Sequence, residues 1–234
     1  MTYNKKQKLC GWSEFITDGK FIWCDTIREG LEDVTYFVIE REINGKKVRY
    51  IERTKTRIIT DAKNAFLVDC GLEAEFKQEV SEISGLEHLE GREIIANAQG
   101  GIVRGLIVTN GKITLPNPVK KIIVGLPYEF LIETLNFEGE NTQGLKKVIN
   151  YISAKIHQSR EDFFFIGQDD KAYQNVRNIE SINNSSKLFS KDVNSTLVAS
   201  AVTDATVKIS QPYPLPLTIL SISATIDVQD NENS

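Results

Sequence analysis

The dipeptide Asn44-Gly45 stands between two runs whose residues match one to one. Asn-Gly is the strongest short hairpin signal, because a type I′ turn needs positive φ at both central residues. A two-residue turn there predicts Glu42 opposite Lys47, Glu40 opposite Arg49 and Val38 opposite Ile51 on one side of a ribbon. Ile39 then lies opposite Tyr50 on the other. Opposite charges meet and apolar meets apolar, as cross-strand pairing favours. The chain is therefore expected to be built from antiparallel hairpins.

The same reasoning extends along the chain. Residues 1–9 are polar and Lys-rich and read as a loose lead-in. Asp18-Gly19 predicts a first hairpin, with Ile16 opposite Phe21 and Trp23 near Glu14, so that four antiparallel strands fill residues 10–53. The charged segment Arg28–Asp33 reads as an exposed loop. Residues 54–64 form a polar connector, and Ala65–Cys70 a short strand ended by Gly71. Arg92–Asn97 is a strand before a Gly100-Gly101 turn. A second Asn-Gly pair, Asn110-Gly111, joins Gly105–Thr109 to Lys112–Leu115, with Val108 facing Ile113 and Leu106 facing Leu115. Lys121–Gly125 is a continuous apolar strand stopped at Pro127. Short strands with turn signals every 8–12 residues suggest a small barrel or sandwich.

Gln143–Ser159 fits two periods. Leu145, Val148, Ile149, Ile152 and Ile156 make a helical stripe, while Val148, Ile152, Ala154 and Ile156 also fit alternation in a β-rich stretch. Residues 168–205, rich in Asn, Ser, Asp and Lys, are expected to be a long mobile loop with short strand fragments. Pro212, Pro214 and Pro216 forbid a helix and favour extended chain. Leu220, Ile222, Ala224, Ile226 and Val228 then alternate with polar residues as one half-buried strand, and 229–234 is a polar tail.

A chain of 234 residues with 41% apolar side chains can fill packed cores. Its net charge of −4 is uneven: residues 1–60 hold twelve Lys/Arg against nine Asp/Glu, the remainder sixteen against twenty-three. That balance argues against a dedicated grip on nucleic acid. Cys10, Cys24 and Cys70 are odd in number and lack metal spacing, so they read as free thiols in a reducing compartment. No apolar signal segment follows Met1, and no run reaches the roughly 20 apolar residues of a membrane helix. Glycosylation triplets at Asn183, Asn184 and Asn194 carry no weight without secretion.

No catalytic constellation stands out. His88 lies between Glu87 and Glu90, which suits a general base or a metal ligand. The other histidine, His157, is far along the chain, and a hydrogen-bonded histidine at a strand start is the preferred reading. Asp169-Asp170 and the pair Asp61/Asp69 could hold a cation or act as paired acids on a sugar, but adjacent acids in a polar loop are usually solvated. Gly100, Gly101 and Gly105 lack the spacing of a dinucleotide fingerprint. Phe163-Phe164-Phe165 reads as core filling by alternate rings, with one ring left for an interface; an exposed wedge is the other reading. Lys5, Lys6 and Lys8 read as a solvated terminus. Accordingly no catalytic, cofactor or metal residue is expected.

Several stretches in order resemble one family. They are Gly11-Trp12-Ser13-Glu14-Phe15 with Thr17-Asp18-Gly19, Thr35-Tyr36-Phe37-Val38, Arg41-Glu42-Ile43-Asn44-Gly45 and Arg49-Tyr50-Ile51-Glu52-Arg53. Gly85-Leu86-Glu87-His88-Leu89-Glu90-Gly91, Val124-Gly125-Leu126-Pro127-Tyr128 and Pro212-x-Pro214-Leu215-Pro216-Leu217-Thr218-Ile219-Leu220 follow. The series, over about residues 8–228, is similar to tail nozzle proteins of short-tailed bacteriophages, also called tail tubular protein B and akin to packaged-DNA stabilisation proteins. The resemblance implies that Lys146–Ile156 is a strand. Family members carry a β-propeller-like region before the Gly-Trp-Ser motif, so the likeness is to their C-terminal portion. It leaves a split gene, a fragment or a shortened relative open, with a partner chain as one source of the rest.

The resulting expectation is an all-β protein of antiparallel hairpin sheets, a small barrel plus a sandwich-like unit. A blade-like sheet covers 10–70, the barrel 71–132 and the sandwich-like unit 133–228. The resemblance implies a non-enzymatic virion tail component made in the host bacterial cytoplasm, without cofactor or membrane contact. Six copies would ring a DNA channel next to adaptor and portal-side proteins, without sequence-specific contact to the DNA. Two other classes remain open. One is a β module binding a host glycan or surface protein through 168–205 and Phe163–Phe165. The other is a glycan hydrolase using Asp169-Asp170 or Glu87/Glu90.

Overall fold

The computed structural model describes residues 2–4, 6, 8–139, 142–160, 164–168, 171–174, 187–197 and 200–229. The fold is all-β, and every strand pair is antiparallel. The chain divides into two compact units, Met1–Thr54 and Lys55–Ser234.

In the first unit, β1 (Thr2–Asn4) pairs with β2 (Leu9–Gly11), so part of the expected loose lead-in is a two-stranded ribbon. β3 (Lys20–Glu29), β4 (Glu32–Ile43) and β5 (Lys46–Arg53) form a three-stranded sheet in that order. The Asn44-Gly45 turn is as expected, with φ of 50° and 72°. Glu42 faces Lys47, Glu40 faces Arg49, Ile39 faces Tyr50 and Val38 faces Ile51.

The Asp18-Gly19 hairpin, however, does not form, and the sheet has three strands where four were expected. Residues 12–17 are irregular, and neither the Ile16–Phe21 nor the Trp23–Glu14 pairing is made. Gly19 instead presses onto β4. A Cβ there would lie 2.8 Å from Glu40 O and 2.9 Å from Ile39 Cγ2. The buried Arg41 guanidinium holds the segment down by donating to Asp18 O (2.6 Å) and to Thr17 Oγ1 (2.9 Å). Phe15 and Phe21 meet beside it with ring centroids 6.4 Å apart. The expected loop Arg28–Asp33 is the true hairpin. Arg28 pairs with Asp33 and Glu29 with Glu32 around Gly30-Leu31, with Gly30 at φ 64°.

In the second unit, β6 (Asp69–Ser84), β7 (Glu93–Ala98), β8 (Gly101–Ile107) and β9 (Lys112–Leu126) make a sheet ordered β6-β9-β7-β8. Here β6 replaces the short strand expected at Ala65–Cys70 and runs straight through Gly71. The 7–8 turn is Gln99-Gly100, one residue before the expected Gly100-Gly101, because Gly101 pairs with Ala98. Lys112–Leu115 and Lys121–Gly125 are one strand. Pro116 and Pro118 fall in the register shift between Val80↔Val119 and Glu82↔Thr114, where no ladder N–H is required. The Asn110-Gly111 turn forms with both φ positive, but its partners meet only at Thr109↔Lys112 because β8 ends at Ile107. Val108, Ile113 and Leu115 still enter one core with Leu86, Leu89 and Ile122. Ile123 faces the opposite side, against Val68 and Ile95, which explains the unbroken apolar run at 122–124.

The remaining strands are β10 (Phe130–Glu133), β11 (Lys146–Ser159), β12 (Phe165–Gln168), β13 (Lys171–Gln174), β14 (Phe189–Thr196), β15 (Val207–Gln211) and β16 (Ile219–Gln229). They make two sheets, β10-β15-β12-β13 and β14-β11-β16. Ile149, Ile152 and Ile156 of the second pack with Ile166, Val207 and Ile209 of the first in a shared core, a sandwich-like arrangement. The ambiguous stretch is thus a strand. Within 168–205, Phe189–Thr196 is a full strand with Val193 buried, not a fragment in a loop. β16 alternates as expected at Ile222, Ala224 and Ile226, while Leu220 and Val228 at its ends are exposed.

Candidate functional site

The acid–histidine cluster serves the fold. His88 sits in a 3-10 turn, Glu87–Leu89, rather than at a strand start, and its Nε2 lies 3.3 Å from Cys70 O. Glu90 accepts from the backbone N–H groups of Asn110 (2.8 Å) and Gly111 (2.7 Å), capping that hairpin, while Glu87 lies against Gly111. The Glu90 carboxylate is therefore committed to backbone groups.

Asp61 caps the 3-10 turn Ala62–Asn64 by accepting from Lys63 N (3.0 Å). Asp69 is buried near Tyr128, whose hydroxyl is pushed above its usual range by burial first and the Asp69 charge second. Among the described residues, no group of three or more His, Cys, Asp or Glu side chains is placed to hold a metal ion.

Asp169-Asp170, Asn183, Asn184, Lys5 and Phe163 lie outside the described residues. Phe164 is fully buried in the sandwich core and Phe165 half-buried, and Lys6 and Lys8 are exposed. Gly100 and Gly105 serve positive-φ positions of β7–β8, at 95° and 71°. Cys24 is exposed and Cys70 buried, neither in a disulfide, and Cys10 lies in β2. No described helix is long and apolar enough to cross a membrane.

The arrangement with most chemical content was not foreseen. It is the outward face of β14-β11-β16, built in three rows by register. They are Thr196–Tyr151–Thr225, Asn194–Ser153–Ser223 and Asp192–Lys155–Ser221. The alternation that buries Ile152, Ala154 and Val193 turns these side chains outward, and Tyr151 is 38% exposed. An outward array of hydroxyl and amide groups with one Asp and one Lys can donate and accept across its width. At one end Ser190 Oγ lies 3.1 Å from His157 Nδ1 and accepts from Gln158 N–H (3.0 Å). Among the described residues no carboxylate meets the His157 ring. The period-two polar positions of β16 were the available signal; the missing piece was which strands lie beside it.

Sequence comparison adds no assignment: no protein-family model and no curated protein matches this chain.

Proposed function

We propose that the chain is a structural component of a phage or prophage virion tail, part of the nozzle ring that channels or retains DNA. It does mechanical rather than catalytic work. The observation that carries the reading is β11. Periodicity left Lys146–Ile156 open between helix and strand, the ordered motif series implied a strand, and a strand runs from Lys146 to Ser159. Sheet-built walls hold a fixed bore, and the acidic balance beyond residue 60 repels phosphates, so DNA slides. Six copies, with adaptor and portal-side proteins, complete the assembly. Its place is the virion tail, after synthesis in the host bacterial cytoplasm. Native mass spectrometry of the chain with the tail proteins of the same genome is expected to give a six-copy ring. A chain that joins no such assembly overturns the reading.

The polar rows on β14-β11-β16 favour a second reading, a module binding a host glycan. Tyr151→Ala and Asn194→Ala change exposed positions only. Loss of adsorption to host cells with assembly intact would favour it over the conduit.

A further inference from the structure

β3 is a free edge of the first unit's sheet. β4 pairs along one side of it, and all ten of its residues are exposed. Trp23 and Ile27 are 71% and 55% exposed. Ten residues of edge without proline, carrying such side chains, are what proteins otherwise cover or blunt. We propose that a second copy of this chain covers it. The two β3 strands pair antiparallel about a two-fold axis at Asp25, joining two three-stranded sheets into one of six strands.

The register argues for this partner. Opposite residues in an antiparallel pair share a face of the sheet. The shift between Phe21 and Trp23 drops Ile22 from the alternation, so Phe21, Cys24, Thr26 and Arg28 point to one face of the sheet. Lys20, Trp23, Asp25, Ile27 and Glu29 point to the other. The Phe21–Phe37 ring contact and the Thr26–Thr35 hydroxyl contact fix the first face.

Folding β3 onto itself about Asp25 sets Lys20 against the partner's Glu29, Phe21 against the partner's Arg28 and Trp23 against the partner's Ile27. Each pair occurs twice and keeps its face. The row Ile51–Val38–Trp23 then continues into the partner's Ile27 and the partner's Val34. Moving the axis by one residue destroys the match. At Cys24 it sets Trp23 against Asp25 and Lys20 against Ile27; at Thr26 it sets Trp23 against Glu29. Only Asp25 meets its own charge, a local penalty set against six favourable pairs. The contact is isologous and stands apart from the ring, which needs heterologous contacts.

Sedimentation equilibrium of the full chain tests this, with circular dichroism to check that each variant is folded. The wild type is expected to form a species of twice 26.4 kDa. Ile27→Lys should weaken association about tenfold, because the charge meets Trp23 twice. Lys20→Glu should weaken it and the added Glu29→Lys restore it, while Asp25→Asn should tighten it about threefold. Leu31→Lys, at the hairpin tip outside the pairing, should leave it unchanged. A monomer at every concentration overturns the proposal. So does a dimer seen only with Asp25→Asn, in which case Asp25 guards the edge. A dimer indifferent to Ile27→Lys and to the charge exchange also overturns it.

Discussion

Arg41 and Glu52 sit on neighbouring strands and hold each other with two parallel hydrogen bonds, Nε to Oε1 at 2.6 Å and Nη2 to Oε2 at 2.8 Å. Arg41 is 4% exposed, and its remaining donors bind the 12–19 segment through Asp18 O and Thr17 Oγ1. One guanidinium thus clamps a carboxylate beside it and an irregular segment above it. Hydrogen exchange at the β4 and β5 amides in urea follows the unfolding of this unit by itself. Glu52→Gln is expected to cost about 1–3 kcal/mol in that transition. Arg41→Lys, which cannot reproduce the fork, should cost at least as much. Unchanged midpoints in both would refute the clamp.

The Asn44-Gly45 turn makes a second prediction. Gly45, at φ 72°, has no atom within 4 Å of an added Cβ, so any cost of substitution is conformational and not steric crowding. Gly45→Val should lower stability by about 1–3 kcal/mol, and Gly45→Ala by less, read from the same amides in urea. A valine variant as stable as wild type would mean the turn is not left-handed.

Asn97 is wholly buried and ties the connector to β7. Its Nδ2 donates to Ala62 O (2.7 Å) and Ala65 O (3.2 Å), and its Oδ1 accepts from Gly100 N (2.8 Å). Asn97→Ala takes their partner from Ala65 O and Gly100 N–H, while Ala62 O keeps only the Ala65 N–H (3.1 Å), and should destabilise the second unit by about 2–4 kcal/mol. Asn97→Asp keeps the acceptor but loses both donations, and should fare no better. Far-UV circular dichroism against urea gives the comparison, and an Asp variant matching wild type would contradict it.

Acid should loosen the same unit through Glu73. The hydrogen bond from Lys121 (2.9 Å), followed by that from Lys55 (3.2 Å), holds this carboxyl below 4.5 despite partial burial. The folded state therefore binds a proton less readily than the unfolded chain. Its contribution is full above the unfolded value and fades as pH falls through the lower folded one. Glu73→Gln should be less stable than wild type at neutral pH, with the gap narrowing as pH falls below the ordinary carboxylate range. A gap constant across that range would show that the ion pairs contribute nothing.

The parts of the fold legible in sequence were those where one local signal outweighed every tertiary demand. Asn44-Gly45 carried its own backbone conformation, and the charges of Glu40, Glu42, Lys47 and Arg49 fixed the register. β16 displayed a clean alternation at its centre. Asp18-Gly19 offered an equal turn signal and failed, because Gly19 was needed for close approach to Glu40 and because Arg41 claimed the carbonyl of Asp18. β6 was hidden by Glu73, Glu75, Lys77, Glu79 and Glu82, which crowd its outer face. Register shifts also break the parity of Ala74, Phe76, Val80 and Ile83. Gly30-Leu31 was masked by charges that pair across the strands they end. The polar face at Tyr151, Ser153 and Lys155 was illegible for another reason: it exists only once β14 and β16 flank β11.

The two prolines in β9 have a consequence for synthesis. Pro116 and Pro118 interrupt the stretch of β9 that only β6 borders, since β7 reaches no further than Ile122. A nascent chain cannot zip another strand onto that stretch. Residues 1–54 carry no proline, so in a crowded cell clumping should begin there. A proline set into β3 would be the natural way to keep the protein soluble in overexpression.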